Sequence, residues 1–223
     1  MSSDKPRGLG KRAWLTTRLG RSLLMFLAKF KIFNVTVHNR SAVPKQGAVI
    51  VASNHISMAD PVFLWGALRR NAIAMAMAEL WKTAPISWIM RMLDQTPVKR
   101  GDKESHKQAL ERSKKVLRNG GLVIIYPEGK CASGDNMLQL QRGVAILAFE
   151  TGTSVIPAGI KGSNLVKPLE KGSKLNRHAH VDMRFGERLN PADFSGPDAM
   201  EDFLAELGQR ISDLSERPLA LAA

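Results

Sequence analysis

Short apolar runs without polar alternation are what most restrict how this chain can fold. Gly47-Ala48-Val49-Ile50-Val51-Ala52-Ser53, Leu122-Val123-Ile124-Ile125-Tyr126 and Thr153-Ser154-Val155-Ile156-Pro157-Ala158-Gly159-Ile160 are largely apolar and β-branched. A strand with one wet face would alternate, so these runs read as strands buried on both faces, as in a parallel sheet covered by helices. Helical stretches lie between them, one from about Glu104 to Arg118 and another beginning near Gln141-Arg142-Gly143. The expectation is an α/β fold: a single domain with a mixed, mostly parallel central sheet flanked by helices. At 223 residues and 44% hydrophobic, the chain can bury one full core.

Polar and special residues gather where these runs end. The first run delivers Asn54-His55-Ile56-Ser57-Met58-Ala59-Asp60 to a strand-to-helix turn. A histidine five positions before a carboxylate is a candidate base with its orienter, because a carboxylate on one ring nitrogen fixes the tautomer and stabilises the imidazolium. Ser57 suits the cap of the following helix. Thr96-Pro97-Val98-Lys99-Arg100-Gly101-Asp102 places two adjacent cations at the end of another extended segment, an arrangement that suits an anion. The run ending at Tyr126 leads into Pro127-Glu128-Gly129-Lys130, an acid and a base beside a permissive glycine.

In order and wording, these four segments resemble the glycerolipid acyltransferase family, which includes the 1-acylglycerol-3-phosphate acyltransferases, over roughly residues 45 to 190. The family's first block, Asn-His-x-Ser-x-x-Asp, is met at Asn54, His55, Ser57 and Asp60. Arg100 corresponds to the arginine of the second block. Tyr126-Pro127-Glu128-Gly129 stands for Phe-Pro-Glu-Gly, and Ile156-Pro157 for Val-Pro. Two departures are visible. Lys130, Cys131 and Ala132 replace the usual Thr-Arg-Ser, so an arginine often assigned to phosphate is absent, with Lys130 as a substitute point charge. Arg142 stands where lysine is frequent and offers a planar fork to phosphate.

The resemblance implies a membrane-associated O-acyltransferase that moves a fatty acyl group from a thioester to a hydroxyl of a phosphate-bearing glycerolipid. The most specific form is 1-acyl-sn-glycerol-3-phosphate to phosphatidate, with glycerol 3-phosphate or another lysophospholipid as the alternative acceptor. It assigns catalysis to His55 and Asp60, and substrate binding to Asn54, Ser57, Lys99, Arg100, Glu128, Gly129, Lys130 and Arg142. Acyl-CoA or acyl carrier protein is the co-substrate, and the chemistry requires neither a further cofactor nor a metal. An alcohol is a poor nucleophile at neutral pH, so attack on a thioester gains from a base that removes its proton. The negative oxygen of the intermediate suits backbone amides at the start of the helix after His55.

Plainer roles compete at several positions. Asp60 also fits a helix cap, Asn54 and Ser57 read equally as structural, and Lys99 suits a solvated face. Glu128 reads equally as a loop organiser accepting from backbone amides. Cys131, the only cysteine, has no matching Cys-His sequence pattern and is not assigned as a nucleophile. A single cysteine excludes an internal disulfide and points to a reducing cytosolic setting. No nucleic-acid-binding module is evident despite the net charge of +13, and no Gly-x-Ser-x-Gly elbow is present.

Much of the positive charge is N-terminal: the first 45 residues hold ten Lys and Arg against one acid, Asp4. Between Ala13 and Phe30, Leu15, Leu19, Leu23, Phe26, Leu27 and Phe30 recur at helical spacing among basic residues. Residues 1–40 are therefore read as a basic amphipathic membrane-associating segment and 41–223 as the acyltransferase domain. The apolar stretch Leu23–Ala28 is cut off by Lys29, too short to span a bilayer, and no signal-peptide cleavage site follows. The expectation is a monotopic protein on the cytoplasmic face of the cell membrane, meeting an anionic surface, the acyl donor and a lysophospholipid acceptor, without nucleic acid. A second apolar patch, Ala84–Leu93, fits an acyl-chain groove, a lipid contact or a core helix.

Overall fold

The computed structural model describes residues 34–68, 70–82, 87, 90–91, 95–99, 101–166, 176 and 178–220. Seven strands form one sheet: β1 (Asn34–His38), β2 (Val49–Ser53), β3 (Ile73–Met77), β4 (Thr96–Val98), β5 (Leu122–Ile125), β6 (Val155–Lys161) and β7 (His180–Phe185). Their order is β1-β7-β6-β2-β5-β3-β4. All neighbouring pairs are parallel except β6 with β7, so β1 and β7 run against the other five. The mixed, mostly parallel sheet expected from the apolar runs is the one observed.

Every residue of β2 is buried, because the sheet carries helices on both faces. Val49 and Val51 pack on one side with Phe63, Leu64 and Trp65 of α1 (Asp60–Ala67). Ile50 and Ala52 point to the other, where they join a cluster with α2 (Lys103–Arg118), α3 (Gly143–Thr151) and α4 (Ala199–Ser215). Burying each such aliphatic side chain stabilises the fold by about 1.5–3 kcal/mol. In α4, Phe203, Leu207 and Ile211 supply the inward stripe and are fully buried. That helix presses closely on β6 at Gly159, where an added Cβ would collide with the backbone of Leu214 and Ser215.

Two strands were not anticipated. β1 lies inside the stretch 1–40 assigned to the amphipathic segment, so the domain begins before residue 41: Asn34-Val35-Thr36-Val37-His38 alternates at the period of a strand and pairs with β7. β3, Ile73-Ala74-Met75-Ala76-Met77, is built partly from good helix formers, and its pairing between β5 and β4 overrides that local preference. The amphipathic positions Ala13–Phe30, and Arg100, lie outside the described residues, as does most of Ala84–Leu93. Among the described residues, no helix is long and apolar enough to cross a membrane.

Candidate active site

Strands β6, β2 and β5 are adjacent and parallel, so their carboxyl ends open on one edge of the sheet, the usual place for a ligand crevice in such folds. The loop after β2 carries His55 and Asp60. His55 Nδ1 lies 2.9 Å from Asp60 Oδ2. The same oxygen accepts the backbone N–H groups of Ile56 at 2.7 Å and Ser57 at 2.8 Å. Ser163, just beyond β6, donates its hydroxyl to Asp60 Oδ1. Asp60 is fully buried, and four donors compensate its charge. With Nδ1 engaged by Asp60, Nε2 is the ring nitrogen available for chemistry.

The loop after β5 closes around the histidine. Glu128 accepts the His55 backbone N–H at 2.7 Å with one oxygen and that of Leu138 at 2.8 Å with the other. Ala132 N–H donates to the His55 carbonyl at 2.7 Å. Tyr126 stacks on the imidazole, with ring centroids 4.3 Å apart and an interplanar angle of 24°. Cys131 Sγ lies 3.0 Å from His55 Nε2. Burial pulls the His55 pKa down, but hydrogen bonds and charge from Asp60 and Cys131 outweigh it and raise it from 6.5 to about 9. Burial pushes Glu128 up, against the opposing pull of the two backbone amides. Tyr126 is held well above its usual range, first by burial and then by the charges of Asp60 and Cys131.

His55 and Asp60 therefore meet as the sequence implied. Several residues assigned to substrate have other partners. Asn54 is fully buried: its amide donates to the Ile160 carbonyl at 2.8 Å and accepts the Ile160 N–H at 2.7 Å, stapling β2 to β6. Ser57 is also fully buried, and its Oγ accepts the Ala59 N–H at 3.1 Å. Glu128 is 3% exposed and occupied by backbone amides. These three side chains are engaged with the protein's own backbone. The oxyanion expectation also changes, since the amides of Ile56 and Ser57 point at Asp60 and that of Ala59 at Ser57.

Of the cations, Lys99 and Lys130 are exposed. Arg142 is exposed too, but its guanidinium pairs with Glu201 on α4 rather than standing open to a phosphate. Gly129 holds the turn with φ +72°, a conformation that favours glycine, and its N–H donates to the Tyr126 carbonyl at 3.0 Å. Sequence reasoning missed Ser163, which only the fold brings to Asp60 across more than 100 residues, and left Cys131 unassigned. The change of Thr-Arg to Lys-Cys after Glu-Gly was the available signal for Cys131.

A doubly covered, mostly parallel sheet with a His-Asp couple at its carboxyl edge defines an α/β enzyme-like scaffold. The acyltransferase family model matches residues 34–161, and the chain belongs to that family. It is similar to a 1-acyl-sn-glycerol-3-phosphate acyltransferase of Borreliella burgdorferi, 26% identical over 159 residues, covering 70% of this chain and 62% of that protein. A chloroplast enzyme of the same name from Arabidopsis thaliana is 24% identical over 153 residues, covering 68% of this chain and 42% of the relative. The chain thus spans less than two thirds of the length of these relatives. Among solved structures, the 1-acyl-sn-glycerophosphate acyltransferase of Thermotoga maritima shares the fold, with a TM-score of 0.68 at 23% identity, covering 92% of this chain and 81% of that one.

Proposed function

We propose that this protein is a membrane-associated O-acyltransferase that moves a fatty acyl group from acyl-CoA or acyl carrier protein to the hydroxyl of 1-acyl-sn-glycerol-3-phosphate, giving phosphatidate. The observation that carries the reading is the His55–Asp60 couple, with Nδ1 held at 2.9 Å, which leaves Nε2, beside the partly exposed Cys131, as the nitrogen for proton transfer. His55 Nε2 takes the hydroxyl proton as the acceptor oxygen attacks the acyl carbon, and Asp60 stabilises the imidazolium that results. Membership of the acyltransferase family and the names of the bacterial and plastid relatives support the reaction class and the acceptor.

The cations fit a charged headgroup held at a distance from the base. β4 is the third strand from β2 along the sheet, which puts its Lys99 end roughly 14–15 Å from the strand that carries His55. Long basic side chains and the acceptor itself bridge that span, and Lys130 approaches from the loop after β5. Met58 and Val62, 45% and 48% exposed beside the His55 turn, offer apolar surface for an acyl chain or the lipid interface. The basic N-terminal segment carries the membrane contact, so deleting residues 1–31 lowers co-sedimentation with anionic vesicles.

The test is thiol release from palmitoyl-CoA and palmitoyl-carrier protein with lysophosphatidate, glycerol 3-phosphate, a zwitterionic lysophospholipid or no acceptor, products being identified by mass. Release that depends on lysophosphatidate, with phosphatidate formed, is expected. Release indifferent to acceptor would make the protein a thioesterase, and preference for another acceptor would move the headgroup assignment.

A further inference from the structure

We infer that Arg217, beyond the residues the family model matches, is a positioning residue: it holds the loop after β5 so that Glu128 keeps the His55 backbone in place. The inference rests on the reading of His55 as the base and concerns how that base is held. Its basis is an unbroken run of contacts from the segment after α4 to the His55 N–H.

The end of α4 aims this side chain. Glu216 closes the helix with φ 54°, a left-handed cap that usually falls to glycine. Its carboxylate pairs with Lys161 at the end of β6 and, at 2.7 Å, with Arg184 of β7, so the turn is tied to the sheet. Pro218 lacks an N–H and cannot continue the helix. The chain leaves α4 beside the loop after β5. There Arg217 Nε donates to the Asp135 carbonyl at 3.1 Å, and Nη2 donates to those of Asn136, at 3.0 Å, and Gly134. One planar guanidinium thus binds three consecutive carbonyls of an exposed turn.

The residues that follow extend the grip. Met137 is fully buried; its N–H donates to the Pro218 carbonyl at 2.8 Å, and its carbonyl accepts the Ala220 N–H at 2.9 Å. Leu138, next in the chain, donates its N–H to one oxygen of Glu128 at 2.8 Å, and the other oxygen accepts the His55 N–H at 2.7 Å. Arg217 also acts on Glu128 through its charge. Burial pushes that carboxyl up, and the Leu138 and His55 amides and the charges of Arg217 and His55 pull against it. An ionised Glu128 accepts from both amides, whereas a protonated one would turn a hydroxyl toward one of them. Arg217 Nη1 is buried without a hydrogen-bond partner, so the three carbonyl contacts repay its desolvation only in part. The gain lies in the loop it orders rather than in the tail.

The experiment compares full-chain wild type with Arg217→Lys, Arg217→Gln and Arg217→Ala. Lysine keeps the charge and can donate to carbonyls, glutamine keeps donors without the charge, and alanine keeps neither. Thermal melts report folding, initial rates with palmitoyl-CoA and lysophosphatidate give kcat and both KM values, and NMR of histidine-labelled protein follows the His55 ring, assigned by its loss in His55→Ala. Expected is a folded Arg217→Ala whose kcat falls by on the order of 10–10²-fold while both KM values stay within about two-fold, with recovery increasing from glutamine to lysine. The His55 signal should move in Arg217→Ala while those of His38, His106, His178 and His180 do not. An unmoved His55 signal with wild-type kcat in all three variants would overturn the positioning role, and so would rate losses that only track the folded fraction. Should Arg217→Ala fail to fold, Arg217→Gln against Arg217→Lys decides by the same two readouts. The NMR signal is read without substrate, so a wild type that transfers nothing would defeat the acyltransferase reading and leave Arg217 to be judged by His55 alone.

Discussion

The two loops that make the site differ in how firmly the protein holds them. In the loop after β2, Asn54, Ser57 and Asp60 are fully buried, and their polar groups find partners in β6, in the turn itself and in Ser163. In the loop after β5, Glu128 and Ala132 are buried, but Gly129, Lys130 and residues 133–136 are exposed. The first loop fixes the direction of one imidazole. The second grips the same residue through Glu128 and Ala132, lays Cys131 against its ring and leaves Lys130 exposed. The position of the His55 ring is over-determined from below, whereas Lys130 and residues 133–136 sit on exposed surface. That explains how the chain departs from the family pattern at Lys130 and Cys131 while keeping Asn54, His55, Ser57 and Asp60.

Substitutions in the buried loop should therefore cost both stability and activity. The largest effect is expected for Asp60→Asn, because a single amide oxygen cannot replace a carboxylate that accepts four hydrogen bonds. Unfolding should become easier by about 2–4 kcal/mol, and transfer should fall by on the order of 10²-fold or more. Denaturant melts and initial rates read both, and a variant with wild-type stability would contradict the anchoring role. Asn54→Ala leaves both Ile160 backbone groups unpaired inside the sheet, at a cost of about 2–4 kcal/mol. Its remaining activity should track the folded fraction; a normal melt with a raised acceptor KM would return Asn54 to the substrate.

The titration of His55 sharpens the comparison. Its folded pKa lies above the unfolded value, so its ionic contribution is complete below about pH 6.5, fades as pH rises, and is gone above about pH 9. At roughly 1.4 kcal/mol per pKa unit, this amounts to a few kcal/mol at most. Wild-type stability should decline between pH 6.5 and 9 more steeply than that of His55→Ala, and parallel curves would deny the coupling. The smallest effect belongs to Arg142→Ala. Its exposed pair with Glu201 contributes under about 1 kcal/mol, and the acceptor KM should shift less than two-fold. A large KM increase would show that Arg142 leaves Glu201 to bind the phosphate.

What the sequence made legible follows the same division. β2, β5 and β6 announce themselves because burial on both faces demands unbroken apolar runs, and the His55–Asp60 spacing lies within one turn. β3 was hidden by its alanines and methionines, and β1 by its position in a basic stretch, since only pairing across the sheet makes either a strand. Asn54 could be read as substrate-facing because its partner, Ile160, is 106 positions away. Ser163 and the Cys131–His55 contact depend likewise on three strand ends meeting at one edge, which residue spacing does not encode.

The central claim is that His55, aimed by Asp60, moves the protons of acyl transfer. Single-turnover transfer from palmitoyl-CoA to lysophosphatidate, wild type against His55→Ala, with folding checked by circular dichroism, tests it most directly. The account predicts a folded variant whose rate falls by on the order of 10²–10⁴-fold. A folded His55→Ala enzyme transferring within a few-fold of wild type would contradict it.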